Sequence, residues 1–171
     1  MNLISILKNL FQFFQKSPKQ SNSQSLPKEE VYMLSMSELL KGKKLEDQSE
    51  EIQVELNILL ERINKIRKAY GKPMTVTSGL RTMEDHLRIY RQIAERKGLP
   101  FDESKVPKKS KHLFGQAVDI ADPKQDLQKW CTENETLLEE VGLWMEDFSA
   151  TSNWCHFQTV APASGKRWFK P

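Results

Sequence analysis

Three side chains in this sequence have the types and the spacing to hold one divalent metal ion. His112 and Asp119 lie in Ser110-Lys111-His112-Leu113-Phe114-Gly115-Gln116-Ala117-Val118-Asp119-Ile120, and His156 lies in Asn153-Trp154-Cys155-His156-Phe157-Gln158. The chain contains 3 histidines in all, and a His-x6-Asp pair takes its third ligand from a distant segment, which makes His156 the candidate. Two imidazole nitrogens and a carboxylate oxygen at about 2.0–2.2 Å suit a single zinc ion. Three protein ligands leave a fourth position for water, as a catalytic site requires.

The elements that must position these groups are short strands. Ala117 and Asp119 share one face of an alternating segment, and Val118 and Ile120 take the other. Asp119 then points away from the core, Ala117 leaves room for an ion, and Gly115 lets the chain fold back so that His112 meets Asp119. The aromatic-rich run around His156 reads as a second strand. Cys155 faces the opposite way by the same alternation and is not expected to be a ligand. Leu143-Trp144-Met145-Glu146 reads as a third strand, joined to the His156 strand through turn-prone residues 147–153 in an antiparallel hairpin. Setting Trp144 opposite His156 puts Glu146 opposite Trp154, on the metal face. Glu146 is therefore the candidate general base, with Asp147 second; a slip of one residue would turn Glu146 away.

The pattern Ser-x-His-x-x-Gly-x-Ala-x-Asp-Ile, preceded by Ser78-Gly79-Leu80-Arg81 and followed by Trp154-Cys155-His156, resembles the zinc D-alanyl-D-alanine metallopeptidases. That family spans DD-carboxypeptidases, D-Ala-D-Ala dipeptidases and phage L-alanyl-D-glutamate endolysins, and shares its fold with hedgehog signalling domains. The resemblance implies a zinc peptidase acting on peptidoglycan peptides, with His112, Asp119 and His156 as ligands. It also implies that Arg81 reaches the substrate beside the metal, where a guanidinium fork polarises the scissile carbonyl or holds a carboxylate, and that Ser110 positions the substrate. Two positions depart from the family. Leu80 replaces a common tyrosine, a change of packing rather than chemistry. Asn153 stands where many members carry a glutamate base three residues before the last histidine, and a neutral amide cannot accept a proton. Glu146 is the proposed replacement; the competing reading is a zinc-stabilised binding or structural module that has lost its base.

Ahead of the strands, Ile52, Leu56, Leu59, Ile63, Ile66 and Tyr70 recur at steps of three and four. Ser49 opens this helix over about 49–70, and Gly71 and Pro73 stop it. Met74-Thr75-Val76-Thr77 reads as a short strand. Thr82 caps a helix running to about Lys97, with Met83, Leu87, Tyr90 and Ile93 or Ala94 as its buried face and His86 beside that stripe. Residues 98–110 form a loop at the site in which Lys108, Lys109 and Lys111 are a solvated charge run or a rim for an anionic substrate. Asp122-Pro123 opens one or two helices that end before Gly142. The basic, aromatic tail from Pro162 docks on the domain.

Residues 1–16 form an amphipathic helix, too short to cross a bilayer, that is a weak membrane or partner contact or packs on its own domain. Residues 17–30 carry almost no apolar side chains and read as a flexible tether, which leaves 31–171 as one peptidase-like domain. A chain of 171 residues, 38% hydrophobic and 29% charged, suits one domain. A net charge of +3 does not argue for nucleic acid. Two cysteines are too few for a disulfide scaffold and read as reduced thiols. No cleavable export signal is evident, so the expectation is a protein made in the bacterial cytoplasm, phage- or host-encoded, that acts on the wall. The expected fold is α+β, a small and mainly antiparallel sheet carrying the zinc site and backed by the helices at 49–70 and 82–97.

Overall fold

The computed structural model describes residues 33–170, so the expected helix at 1–16 and the linker at 17–30 lie outside the described residues. The main helix of the core is α2 (Glu50–Tyr70); among the described residues the single turn α1 (Met36–Leu40) precedes it. The Ser49 hydroxyl accepts the Ile52 N–H, Glu50 and Glu51 occupy the first turn, Arg67 and Lys68 the last, and Gly71 ends α2 at φ 70. Each feature favours the helix dipole or satisfies an end group. The α2 stripe Leu56, Leu59, Ile63 and Ile66 is fully buried.

That stripe packs against one face of a five-stranded sheet of order β1-β2-β4-β3-β5. The strands are β1 (Val76–Ser78), β2 (Ala117–Ala121), β3 (Trp144–Glu146), β4 (Trp154–Gln158) and β5 (Trp168–Phe169). Pairing is antiparallel except between β3 and β5. Val118, Ile120, Met145, Cys155 and Phe157 point into the same core, which α4 (Asp126–Glu133) and α5 (Glu135–Val141) close with Leu127, Cys131, Leu138 and Val141. Both cysteines are buried free thiols. No helix among the described residues is long and apolar enough to cross a membrane.

Helix α3 (Met83–Arg96) departs from expectation. It forms behind a Thr82/Asp85 capping box as anticipated, but none of its residues joins the core cluster. Met83 is 41% exposed, and the one fully buried side chain is His86, at 1%. Leu87, Tyr90, Ile93 and Ala94 of the expected face are half-buried, and Tyr90, Ile93 and Ala94 meet the loop at Leu99–Val106 instead of the core cluster. The segment after β2 also differs. Asp122-Pro123 does not start the helix; Gln125 adopts φ 60, α4 begins at Asp126, and the Asp122 carboxylate accepts the N–H groups of Leu127 and Gln128 from outside it.

The tail docks as expected but does more than dock. Trp168–Phe169 adds β5 to the sheet in parallel with β3. The Arg167 guanidinium lies 4.5 Å from the Trp144 ring centre and donates to the Leu143 carbonyl.

Candidate metal centre

The two strands that carry Asp119 and His156 are adjacent, and these residues stand directly opposite each other in the β2–β4 ladder. Alternation turns both away from α2. His112 arrives on a 3₁₀ turn, Lys111–Phe114, which Gly115 ends at φ 69. A side chain at Gly115 would be strained at that φ and would press on Leu56 of α2, so glycine fixes how closely the turn seats on the core. The three candidate ligands each offer one atom, and those atoms lie within 4.8 Å of one another.

The donor set fits an ion. His112 donates Nδ1–H to the Gly79 carbonyl at 2.9 Å, which leaves Nε2 as a lone-pair atom 3.3 Å from Asp119 Oδ2. Burial holds His112 below its usual pKa, against the pull of Asp119, which favours an open Nε2 lone pair facing the carboxylate. A cation is what such a pair lacks. Tetrahedral ligands at zinc distances stand about 3.4 Å apart, and a histidine ligand characteristically gives its other N–H to a carbonyl. His156 donates Nδ1–H to Asp119 Oδ1 at 2.8 Å. Burial opposes its protonation, but Asp119 and then Glu146 outweigh burial and raise its pKa. Asp119 itself is held well below the carboxylate range: burial works upward, and the two imidazoles overcome it.

Arg81 donates Nη2 to Asp119 Oδ2 and Nε to Ser78 Oγ, both at 2.9 Å, so the expected arginine stands beside the cluster in a fixed orientation. Glu146 is also on this face. Its strand register differs from expectation by two residues: Trp144 pairs with Gln158 and Met145 with Phe157, which sets Glu146 level with His156 instead of Trp154. A shift of two preserves the face, because side chains alternate with period two. Glu146 Oε1 lies 3.9 Å from His156 Nε2, and burial raises its pKa, with Asp119 adding to the effect and His156 and Arg81 opposing it.

The remaining candidates divide. Asn153 is exposed, and its main-chain carbonyl accepts the Asp122 N–H at 2.8 Å. Asp147 caps its own turn through Ser149 and takes no part. Ser110 is half-buried at the head of the His112 turn, with no capping bond from its hydroxyl. Cys155 faces the core, where its thiol donates to Asp122 at 3.4 Å. Lys108 and Lys109 are exposed. The sequence reading missed three neighbours. Burial raises the pKa of Tyr90 on α3, with Arg81 opposing and Glu146 adding, the Phe169 ring centre lies 6.3 Å from that of His156, and the buried His86 donates Nε2–H to the Pro107 carbonyl at 2.8 Å, fixing the 98–110 loop against α3. The tyrosine lies on the apolar stripe of α3 and the histidine beside it, where packing is the ordinary role, and the phenylalanine lies in a tail with no strand signature.

The α+β sheet thus presents a buried His–Asp–His cluster able to hold a metal ion, flanked by an arginine. A family model described as VanY, D-alanyl-D-alanine carboxypeptidase, matches residues 49–162. The match takes in every residue of the cluster together with Arg81, Ser110 and Glu146, and the chain belongs to this family. Searches of curated proteins and of solved structures give no match.

Proposed function

We propose that the protein is a zinc-dependent peptidase that hydrolyses a peptide bond in peptidoglycan peptides, with Glu146 as general base. The observation that carries this reading is the position of Glu146: a carboxylate of raised pKa, 3.9 Å from His156 Nε2 and level with it across the β3–β4 pair. Family membership supports the substrate class.

In this reading His112, Asp119 and His156 would hold one zinc ion, which when bound would supply a Lewis acid that makes water a nucleophile near neutral pH. His156, which shares its Nδ1 proton with Asp119, would give up a proton to serve as a ligand. Glu146 stands outside hydrogen-bond reach of His156, so its carboxylate is not tied to that imidazole and can take a proton from the attacking water. It accepts that water's proton during attack on the scissile carbonyl and passes it to the departing amine. A carboxylate whose pKa is raised by burial is a better proton acceptor than an ordinary one. Arg81, oriented by Ser78 and Asp119, donates toward the oxygen on which charge develops. Ser110 lies two residues before His112 and positions the peptide.

The test is mass spectrometry of peptidoglycan fragments incubated with zinc-loaded wild type and with Glu146→Gln. Cleavage by the wild type and its loss in the variant supports the mechanism. Cleavage by neither points to the binding module, and undiminished cleavage by the variant removes Glu146 from its role.

A further inference from the structure

Six large apolar side chains stand exposed among the described residues, and three of them, Met83, Leu99 and Phe114, belong to α3 and the chain packed beside it. Leu99 is the most exposed of the six, at 59%. A single exposed leucine is ordinary, whereas a group on one side of a molecule marks a surface that meets something. The group has a cause in α3. Its apolar stripe is left out of the core cluster and is met instead by the loop at Leu99–Val106, with a cavity of about 240 Å³ between them. Met83 and Phe114 border a second groove at the other end of the stripe, which Lys108 also lines.

The loop is held in place by several contacts. Leu99 donates its N–H to the Ala94 carbonyl at 2.9 Å, the Arg91 guanidinium lies 4.8 Å from the Phe101 ring centre, Val106 is buried, and Pro107 accepts the His86 bond. Leu99 is thus presented outward by a fixed frame. Charge surrounds it. Residues 95–111 carry six bases, Arg96, Lys97, Lys105, Lys108, Lys109 and Lys111, against three acids. That excess equals the net charge of the whole chain, +3, so the rest of the sequence balances to zero. Lys105 pairs with Asp102 at 3.3 Å; the other five make no ion pair among the described residues, and Lys97, Lys108 and Lys109 are exposed.

Unpaired lysines alone would suit any polyanion. Lysines beside an outward-held leucine suit an anion layer with an apolar interior beneath it, which a lipid bilayer has and a soluble polyanion lacks. We propose that α3 and residues 97–111 dock on an anionic lipid surface, with Leu99 entering the interfacial layer and Lys97, Lys108 and Lys109 facing the head groups. His112 follows this run directly, so docking sets the candidate centre beside the membrane. The proposal does not rest on the peptidase reading and stands even where no peptide is cleaved.

The experiment is flotation of the full chain with vesicles of phosphatidylcholine, alone or with an equal part of phosphatidylglycerol. It compares wild type with Lys97→Gln/Lys108→Gln/Lys109→Gln and with Leu99→Ser, each checked for folding by circular dichroism. Wild type floats with the mixed vesicles only, and salt releases it. The triple variant loses about tenfold to hundredfold in affinity, and Leu99→Ser about tenfold while keeping its salt dependence. Both native thiols are buried, so a polarity-sensitive dye on Leu99→Cys reports that position alone, and it shifts to the blue on the mixed vesicles. Absence of flotation, or a dye that does not shift, overturns the proposal. Flotation that both loop variants retain and Leu7→Asp/Leu10→Asp abolishes assigns the contact to residues 1–16 and overturns it. Binding to soluble polyglycerol phosphate as tight as to vesicles identifies a polymer surface, and a blue shift that grows with protein concentration without lipid identifies contact between copies; either overturns it as well.

Discussion

One face of β2, β4 and β3 presents Val118, Ile120, Cys155, Phe157 and Met145 to α2, all of them fully buried. The other face of the same strands presents Asp119, His156 and Glu146 to a pocket of charge. Alternation is all that separates the two sets, yet they answer to different physics. The first is held by area removed from water, about 25 cal/mol per Å² of apolar surface, and by close packing. The second gathers two imidazoles, two carboxylates and a guanidinium where burial works against almost every charge. One face makes the fold, and the other draws on its rigidity to keep groups in positions that they would not choose alone.

The largest effect that separates the faces comes from the core. Phe157→Ala removes a large buried ring next to His156 and should cost about 3–5 kcal/mol of stability in chemical denaturation, with unchanged turnover per folded molecule. A loss of turnover out of proportion to the folded fraction would show that the faces are not separable.

On the other face, Glu146→Gln should lower turnover by about 10²–10⁴-fold and leave the protein no less stable at neutral pH. The sign follows from linkage. A carboxyl whose pKa is raised by folding destabilises the folded state once it ionises, above its unfolded value, and a neutral amide removes that cost. A variant clearly less stable than wild type would mean that Glu146 is a structural group.

The same shift sharpens the comparison through pH. Activity should fall on acidification as Glu146 takes up a proton, with the acid limb above the ordinary carboxylate value of 4.5 because burial raises this group. Zinc affinity should weaken over the acid range too, since His156 has a raised pKa and must lose its proton to bind. Measuring kcat at saturating zinc separates the two. An acid limb at or below 4.5 would dissociate Glu146 from the chemistry. The smallest effect belongs to the sheet edge, where Arg167→Ala should cost about 1 kcal/mol through its contact with Trp144 and leave zinc content unchanged.

Much of this arrangement was legible in the residues. The period of two assigned Asp119 to one face and Val118 and Ile120 to the other, and His156 was the one distant histidine on a strand. Glu146 was found on the right face through a register two residues out, since face depends on parity and pairing partner on the length of the turn. Long-range geometry was not legible. A two-residue strand such as β5 has no periodicity to read, and its parallel partner β3 lies some twenty residues away along the chain. The stretch 34–43 looks like an ordinary loop until Gly79 is seen against Leu39. On α3 the expected face is half-buried except for Met83, which is exposed, while the helix buries His86 beside it, whose Nε2–H satisfies the Pro107 carbonyl.

The central claim is that His112, Asp119 and His156 together hold one ion. Elemental analysis of chelator-stripped, zinc-reconstituted full-length protein tests it most directly, with circular dichroism to confirm folding of each variant. The account predicts one zinc per chain for wild type and for Glu146→Gln, and none retained by folded Asp119→Ala. Wild type without stoichiometric zinc, or an Asp119→Ala variant that holds as much as wild type, would contradict it.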